Sequence, residues 1–250
     1  MTDTQFHALP DGCRLAYRFT PGSGPALVFL PGYMSDMAGG KATALFDWAR
    51  ERGQACLLLD YSGCGESSGD FADGTLSRWR GEVLALIALT LGNTAPVVLV
   101  GSSMGGWLML LVGRELGGRL AGLVGIAAAP DFTEWGTSEA DKARLAAGQT
   151  VYEDNPYGPD PTPTHPGFWQ DGQRLRQLDT AIPVACPVRL LHGQCDGDVP
   201  WEIALRTASA LRSPDVQVVL VKDGEHRFSR DSDIDLILRT VAALPGMPHP

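Results

Sequence analysis

From Val83 to Gly113 the chain carries no Asp, Glu, Lys or Arg, yet two glycine-bearing polar interruptions, GNTAP at 92–96 and GSSMGG at 101–106, divide it. An unbroken apolar run of that length would span a bilayer. The interruptions cut it into pieces too short to span, so no transmembrane segment is expected. What remains is a helical run, a turn, a short β-rich run (VVLV), a sharp turn and a second helical run. All of these must be buried in protein. A strand with no polar face belongs to a parallel sheet covered by helices on both sides.

The rest of the chain repeats this rhythm. HALPDGCRLAYRFTPG (7–22) reads as a hairpin with turns at Pro10–Gly12 and Pro21–Gly24. ALVFLPG (26–32), ACLLLDYSG (55–63), APVVLVGSS (95–103), LAGLVGIAAAP (120–130), VRLLHG (188–193) and VQVVLVKDG (216–224) read as strands. Helices are expected over 41–52, 75–91, 105–116, 201–212 and 232–243. Alternating strands and helices predict a doubly wound α/β sheet, whose functional groups collect beyond the carboxyl ends of the strands. Residues 131–186 break the pattern. They show no clear strand, and PYGPDPTPTHP (156–166) is proline-rich. A segment of that length is expected to be an inserted lid or cap over the strand ends. This divides the chain into a core of 1–130 and 187–250 and a lid of 131–186. The terminal PGMPHP is expected to fray.

The 250 residues are 44% hydrophobic and 20% charged, with a net charge of −9 and no basic stripe. Nucleic acid and anionic membranes are therefore excluded as expected partners. The five cysteines (Cys13, Cys56, Cys64, Cys186, Cys195) are scattered, with no CxxC pair and no histidine at ligand spacing. Neither a disulfide framework nor a metal site is predicted. The first residues, MTDTQFHALPDG, show no apolar core and no Arg-rich amphipathic pattern, so the expectation is a cytoplasmic protein without a leader.

The pattern GxSxG occurs twice, as Gly101-Ser102-Ser103-Met104-Gly105 and as Gly65-Glu66-Ser67-Ser68-Gly69. A nucleophile elbow needs a strand before the serine and a helix after it, so that a tight reversal presents the hydroxyl above the sheet. Only the first match has that context. The second runs into DFADGT and reads as a loop. The alternative reading of 101–106 is a small-residue turn that merely permits close packing. Ser103 is the candidate nucleophile, and Ser102 has no assigned role.

An activated serine needs a base, and the base needs an acid to fix its tautomer. In this architecture the chain order is Ser, then acid, then His. Of the five histidines, His7 lies in the hairpin, His165 in the lid and His249 in the tail. His192 precedes a glycine at a strand end and reads as a structural turn residue. His226, in VKDGEHRF, follows the last strand and is the candidate base. For the acid, Asp196 and Asp198 in LLHGQCDGDVP compete, with Asp131 as an outsider. Their positions leave the choice open.

These residues together resemble the α/β-hydrolase superfamily over essentially the whole chain. HGxxDxxVP stands at His192–Pro200, and DxxGxGxS at Asp60–Ser67. LPGYMSDMAGGKA (30–42), LDYSGCGESSG (59–69), VGSSMGGWLML (100–110) and CPVRLLHGQCDGDVPW (186–201) are similar to the superfamily's acyl-glucuronide esterase and palmitoyl-protein thioesterase branch, with its bacterial relatives. The resemblance implies the α/β-hydrolase fold, a mostly parallel sheet of about eight strands with helices on both faces and an inserted lid. It implies that Asp196 is the acid beside Ser103 and His226, and that the backbone N–H groups of Tyr33 and Met104 form the oxyanion hole. It also implies a serine esterase or thioesterase needing no metal or cofactor, acting on a small-molecule ester or thioester or on an acylated protein. A C–C bond hydrolase or peptidase would use the same triad. A non-catalytic ligand-binding module on this fold is the reading from another class. Phe132, Trp135, Tyr152, Tyr157, Phe168 and Trp169 are expected either to line an acyl pocket or to form the lid's own core.

Overall fold

The computed structural model describes residues 3–156 and 158–247, so Tyr157 and His249 lie outside the described residues. In chain order its elements begin with β1 (Gln5–Ala8), β2 (Arg14–Thr20), β3 (Ser23–Leu30), α1 (Gly40–Glu51), β4 (Gln54–Leu59) and α2 (Leu76–Leu91). Then come β5 (Val97–Ser102), α3 (Met104–Leu116) and β6 (Leu120–Ile126). An excursion follows, through α4 (Phe132–Trp135), α5 (Glu139–Ala146), β7 (Val151–Glu153), β8 (Thr162–Thr164) and α6 (Pro166–Arg174). The chain returns with β9 (Val188–Gly193), α7 (Glu202–Ala210), β10 (Val216–Val221) and α8 (Asp231–Ala242).

The charge-free stretch is explained by β5. Val97 and Leu99 face the core shared with α2 and α3, where they meet Val83, Leu86 and Leu108. Val98 and Val100 face the opposite core, shared with α1 and α8, where Leu45, Phe46, Ile237 and Val241 pack. A strand whose alternate side chains enter two cores tolerates a charge on neither face. Each such Val or Leu contributes roughly 1.5–3 kcal/mol by leaving water.

The main sheet has eight strands in the order β1-β2-β4-β3-β5-β6-β9-β10. From β4 to β10 neighbouring strands run parallel, while β2 and β1 close one edge antiparallel. Because β3 lies between β4 and β5, the winding reverses there. Accordingly α1 packs beside α8, and α2 packs beside α3 on the opposite face. A crevice opens at such a reversal, beyond the carboxyl ends of β3 and β5.

Two expectations need correction. Residues 131–186 do contain strands: β7 and β8 pair antiparallel, with Val151 opposite Thr164. Three-residue strands, one carrying Pro163, are too short to show a period and poor in β-formers. The tail is also packed rather than frayed as far as Met247, which is 4% exposed and joins the α1–α8 core. One buried methionine anchors a stretch whose Pro/Gly composition suggested a loose end.

The two ends of the excursion are fastened to each other, and its α6 to α2. Asp131, buried at φ 61°, accepts hydrogen bonds from the N–H groups of Gln177 (2.8 Å) and Leu178 (2.7 Å). On α6, Asp171 accepts from the N–H (2.7 Å) and hydroxyl (2.9 Å) of Ser77 at the start of α2.

The ends of β9 and β10 cross at two glycines. A Cβ at Gly193 would lie 2.1 Å from the Gly224 carbonyl oxygen. Cys195 N–H donates to that same oxygen at 2.9 Å, drawing the two following loops together. Gly193→Ala is expected to cost about 1–3 kcal/mol through overpacking. Urea unfolding should show a lower midpoint at unchanged slope; an unchanged midpoint would mean that the crossing is not tight.

Candidate active site

β5 ends at Ser102 and α3 begins at Met104, so the reversal falls on one residue. Ser103 takes it up at φ 53°, ψ −121°, a region costly for any residue with a Cβ. The surrounding chain over-determines this conformation. Ser103 N–H donates to Ile126 O (2.9 Å), and its carbonyl accepts from Gly106 (2.8 Å) and Ala129 (3.0 Å). The helix can sit this close only because Gly105 and Gly106 in its first turn lack side chains. A Cβ at Gly105 would lie 2.1 Å from the Leu30 carbonyl oxygen. That contact also brings the loop after β3 alongside. A Cβ on Gly32 would be 3.3 Å from that of Ser103, and Tyr33 follows directly. Met104 opens α3, so its N–H has no acceptor within the helix. Tyr33 and Met104, whose N–H groups the resemblance implies as oxyanion donors, line the same cavity as Ser103.

His226 Nε2 lies 3.1 Å from Ser103 Oγ, and His226 Nδ1 lies 2.9 Å from Asp196 Oδ2. A neutral ring protonated on Nδ1 satisfies both contacts, with the serine hydroxyl donating to Nε2. Asp196 Oδ1 accepts the N–H groups of Asp198 (2.9 Å) and Val199 (2.8 Å), which turns its carboxylate inward. Burial pushes the Asp196 carboxyl up. Hydrogen bonds from His192, His226 and Val199, with the His226 charge, outweigh burial and hold it well below the usual carboxylate range.

The other candidates sit elsewhere. Asp198 Oδ2 is 3.8 Å from His226 Nε2, on the serine side of the ring, and does not meet Nδ1. Asp131 is committed to the backbone of 177–178. Ser67 and Ser68 of the second GxSxG bind the loop to β2, accepting the N–H groups of Ala16 and Arg14. His7 lies on the edge strand β1, and His165 precedes α6 with Nδ1 3.1 Å from Thr150 Oγ1. His192 is more than the turn residue expected. It is wholly buried at the end of β9, with Nε2 3.2 Å from Asp196 Oδ2. A lone histidine in an apolar strand gave no sequence signal of that contact.

Ser103, Met104, Tyr33 and His226 open onto a cavity of about 570 Å³, a size suited to a small-molecule ligand. Phe132 and Trp135 line it. Phe168 instead enters an aromatic cluster with Tyr33, Trp79 and Phe132, Trp169 donates to Thr133 O, and Tyr152 is 61% exposed. The excursion's aromatics therefore divide between cavity wall, core and surface. The Tyr33 hydroxyl donates to Pro163 O at 3.0 Å, joining the loop beside Ser103 to β8. Lys41 also lines the cavity; burial and the neighbouring Arg227 charge pull its amine down to about 8.

The alpha/beta hydrolase family model matches residues 27–249. The chain belongs to that family. The human palmitoyl-protein thioesterase ABHD10, mitochondrial, is 35% identical to this hydrolase over 249 residues, covering 96% of this chain and 79% of that protein. The structure of mouse alpha/beta hydrolase domain-containing protein 10 superposes with a TM-score of 0.88 at 34% identity, covering 97% of this chain and 98% of that one. A crystal structure of a protein from Agrobacterium vitis S4 gives a TM-score of 0.89 at 36% identity, covering 97% and 99%. No helix of the described residues is long and apolar enough to cross a membrane.

The depressed ionisation of Asp196 makes a prediction of defined sign. A carboxylate held below its unfolded value near 3.9 contributes stability that is full above that pH and is lost as pH falls toward the folded value. Asp196→Asn is expected to cost about 1–3 kcal/mol at pH 7. The gap from wild type should narrow below about pH 4. Chemical denaturation at a series of pH values reads this directly, and a gap that widens in acid would contradict it.

Proposed function

We propose that this hydrolase is a serine esterase or thioesterase that works through an acyl-enzyme on Ser103. The observation that carries the reading is the continuous line from Ser103 Oγ through both nitrogens of His226 to Asp196, at the wall of a ligand-sized cavity. In this reading His226 takes the serine proton as Oγ attacks the carbonyl, and Asp196 stabilises the imidazolium without taking its proton. The N–H groups of Tyr33 and Met104 hold the developing oxyanion, each worth about two to three powers of ten in rate. His226 returns the proton to the leaving group, then activates water to release the acid. No step in this scheme calls on a metal or cofactor.

Residues 131–186 act as a lid over the core of 1–130 and 187–250, with Phe132 and Trp135 offering apolar surface to an acyl chain. The substrate is a small-molecule ester or thioester or an acylated protein. The names of the animal relatives favour palmitoyl-protein thioester chemistry. Those names place the relatives in mitochondria, not in the cytoplasm expected above.

A fluorophosphonate probe should label the wild type and not Ser103→Ala; equal labelling would remove Ser103 from the mechanism. An acyl-length series of paired esters and thioesters then reads the substrate class. Absence of turnover across the whole series by a labelled enzyme would favour C–C or peptide cleavage, and absence of labelling with retained ligand binding would favour a binding module. Asp196→Asn should lower kcat by about 10⁴, and Asp198→Asn by less than about tenfold, because only Asp196 meets Nδ1. The reverse order would exchange their roles.

A further inference from the structure

We infer that His192 is a positioning residue for Asp196, holding the acid's carboxylate and its loop in the orientation that His226 requires. The inference rests on the triad reading above. His192 Nε2 lies 3.2 Å from Asp196 Oδ2 and 3.0 Å from Val199 O. Both neighbours are acceptors, so Nε2 must carry the ring proton, which is bonded to Val199 O with Asp196 Oδ2 close beside it. Val199 N–H in turn donates to Asp196 Oδ1 at 2.8 Å. One ring therefore closes a loop of contacts around residues 196–199: strand end to carboxylate, carboxylate to Val199, and Val199 back to the strand end.

The other nitrogen supports a role beyond filling space. His192 Nδ1 is buried with no hydrogen-bond partner, one of two such side-chain atoms among the described residues. An apolar side chain of similar size would fill the space without stranding a nitrogen, so packing alone is a poor account of histidine here. What the imidazole supplies is an N–H that holds the Val199 carbonyl while standing 3.2 Å from the carboxylate. Asp196 Oδ2 then has a ring nitrogen of each histidine within 3.2 Å, and the loop that turns its carboxylate inward is tied to the strand end. His192 has no exposed surface and so does not touch substrate.

The test separates a directed donor from a space-filler. His192→Gln can place an amide N–H where Nε2 stood; His192→Asn puts it near the Nδ1 position; His192→Phe keeps a flat, slightly larger ring with no donor. Loss of a hydrogen bond to a charged group predicts that Phe and Asn lower kcat by about ten- to a hundredfold with KM changed less than about twofold, while Gln recovers most of kcat. Thermal unfolding checks that each variant is folded. A folded Phe variant with wild-type kcat, or Gln no better than Asn, would overturn the inference. Nitrogen-15 histidine spectra of the wild type give a reading that needs no variant. His192 protonated on Nε2 is required, and protonation on Nδ1 overturns the proposal. Fluorophosphonate labelling of the wild type at Ser103 is run alongside, so failure of the triad reading is seen there and not mistaken for failure at His192.

Discussion

Everything in the site depends on one steric constraint: β5 must turn into α3 within a single residue, and that is possible only where Gly101 and Gly105, two positions to either side, have no side chains. Gly101 and Gly105 press on each other's backbone, and Gly105 presses on the carbonyls ending β3. This contact puts the left-handed Ser103 at the top of the sheet and pulls the Gly32–Tyr33 loop against it. The strain is stored locally and offset by the two flanking cores, whose apolar side chains leave no room for relaxation. Absence of charge from 83 to 113 and presence of glycine at 101, 105 and 106 are thus two sides of one requirement.

A second close contact performs the same service for the other half of the site. Gly193 and Gly224 cross where β9 and β10 end, and their loops deliver Asp196 and His226 to within 2.9 Å of each other. Ser103, Asp196 and His226, the candidate nucleophile, acid and base, arrive from three separate strand ends. Their geometry is therefore a property of the sheet's register and not of any one loop.

The sequence made Ser103 and His226 legible because each follows an apolar strand run, and chain order linked them. Residue positions did not separate Asp196 from Asp198, two residues apart on one loop. The difference lies in which carboxylate turns inward to receive the N–H groups of 198 and 199, a feature of turn geometry that composition does not encode. The same limit applies to the β7–β8 pair, whose strands are too short to have a period, and to Met247, one apolar side chain in a tail of turn formers. His192 shows the converse problem. A polar residue inside an apolar strand is visible at once, but what it faces depends on the fold of residues 196–199.

Tyr33 has one side chain and one backbone N–H, and they answer to different parts of the molecule. Its hydroxyl is fastened to the Pro163 carbonyl in the excursion, while its main chain stands next to Ser103. One aromatic ring therefore ties the β7–β8 hairpin to the chain beside Ser103, so the wall of the cavity and the floor around its candidate nucleophile are a single hydrogen-bonded unit.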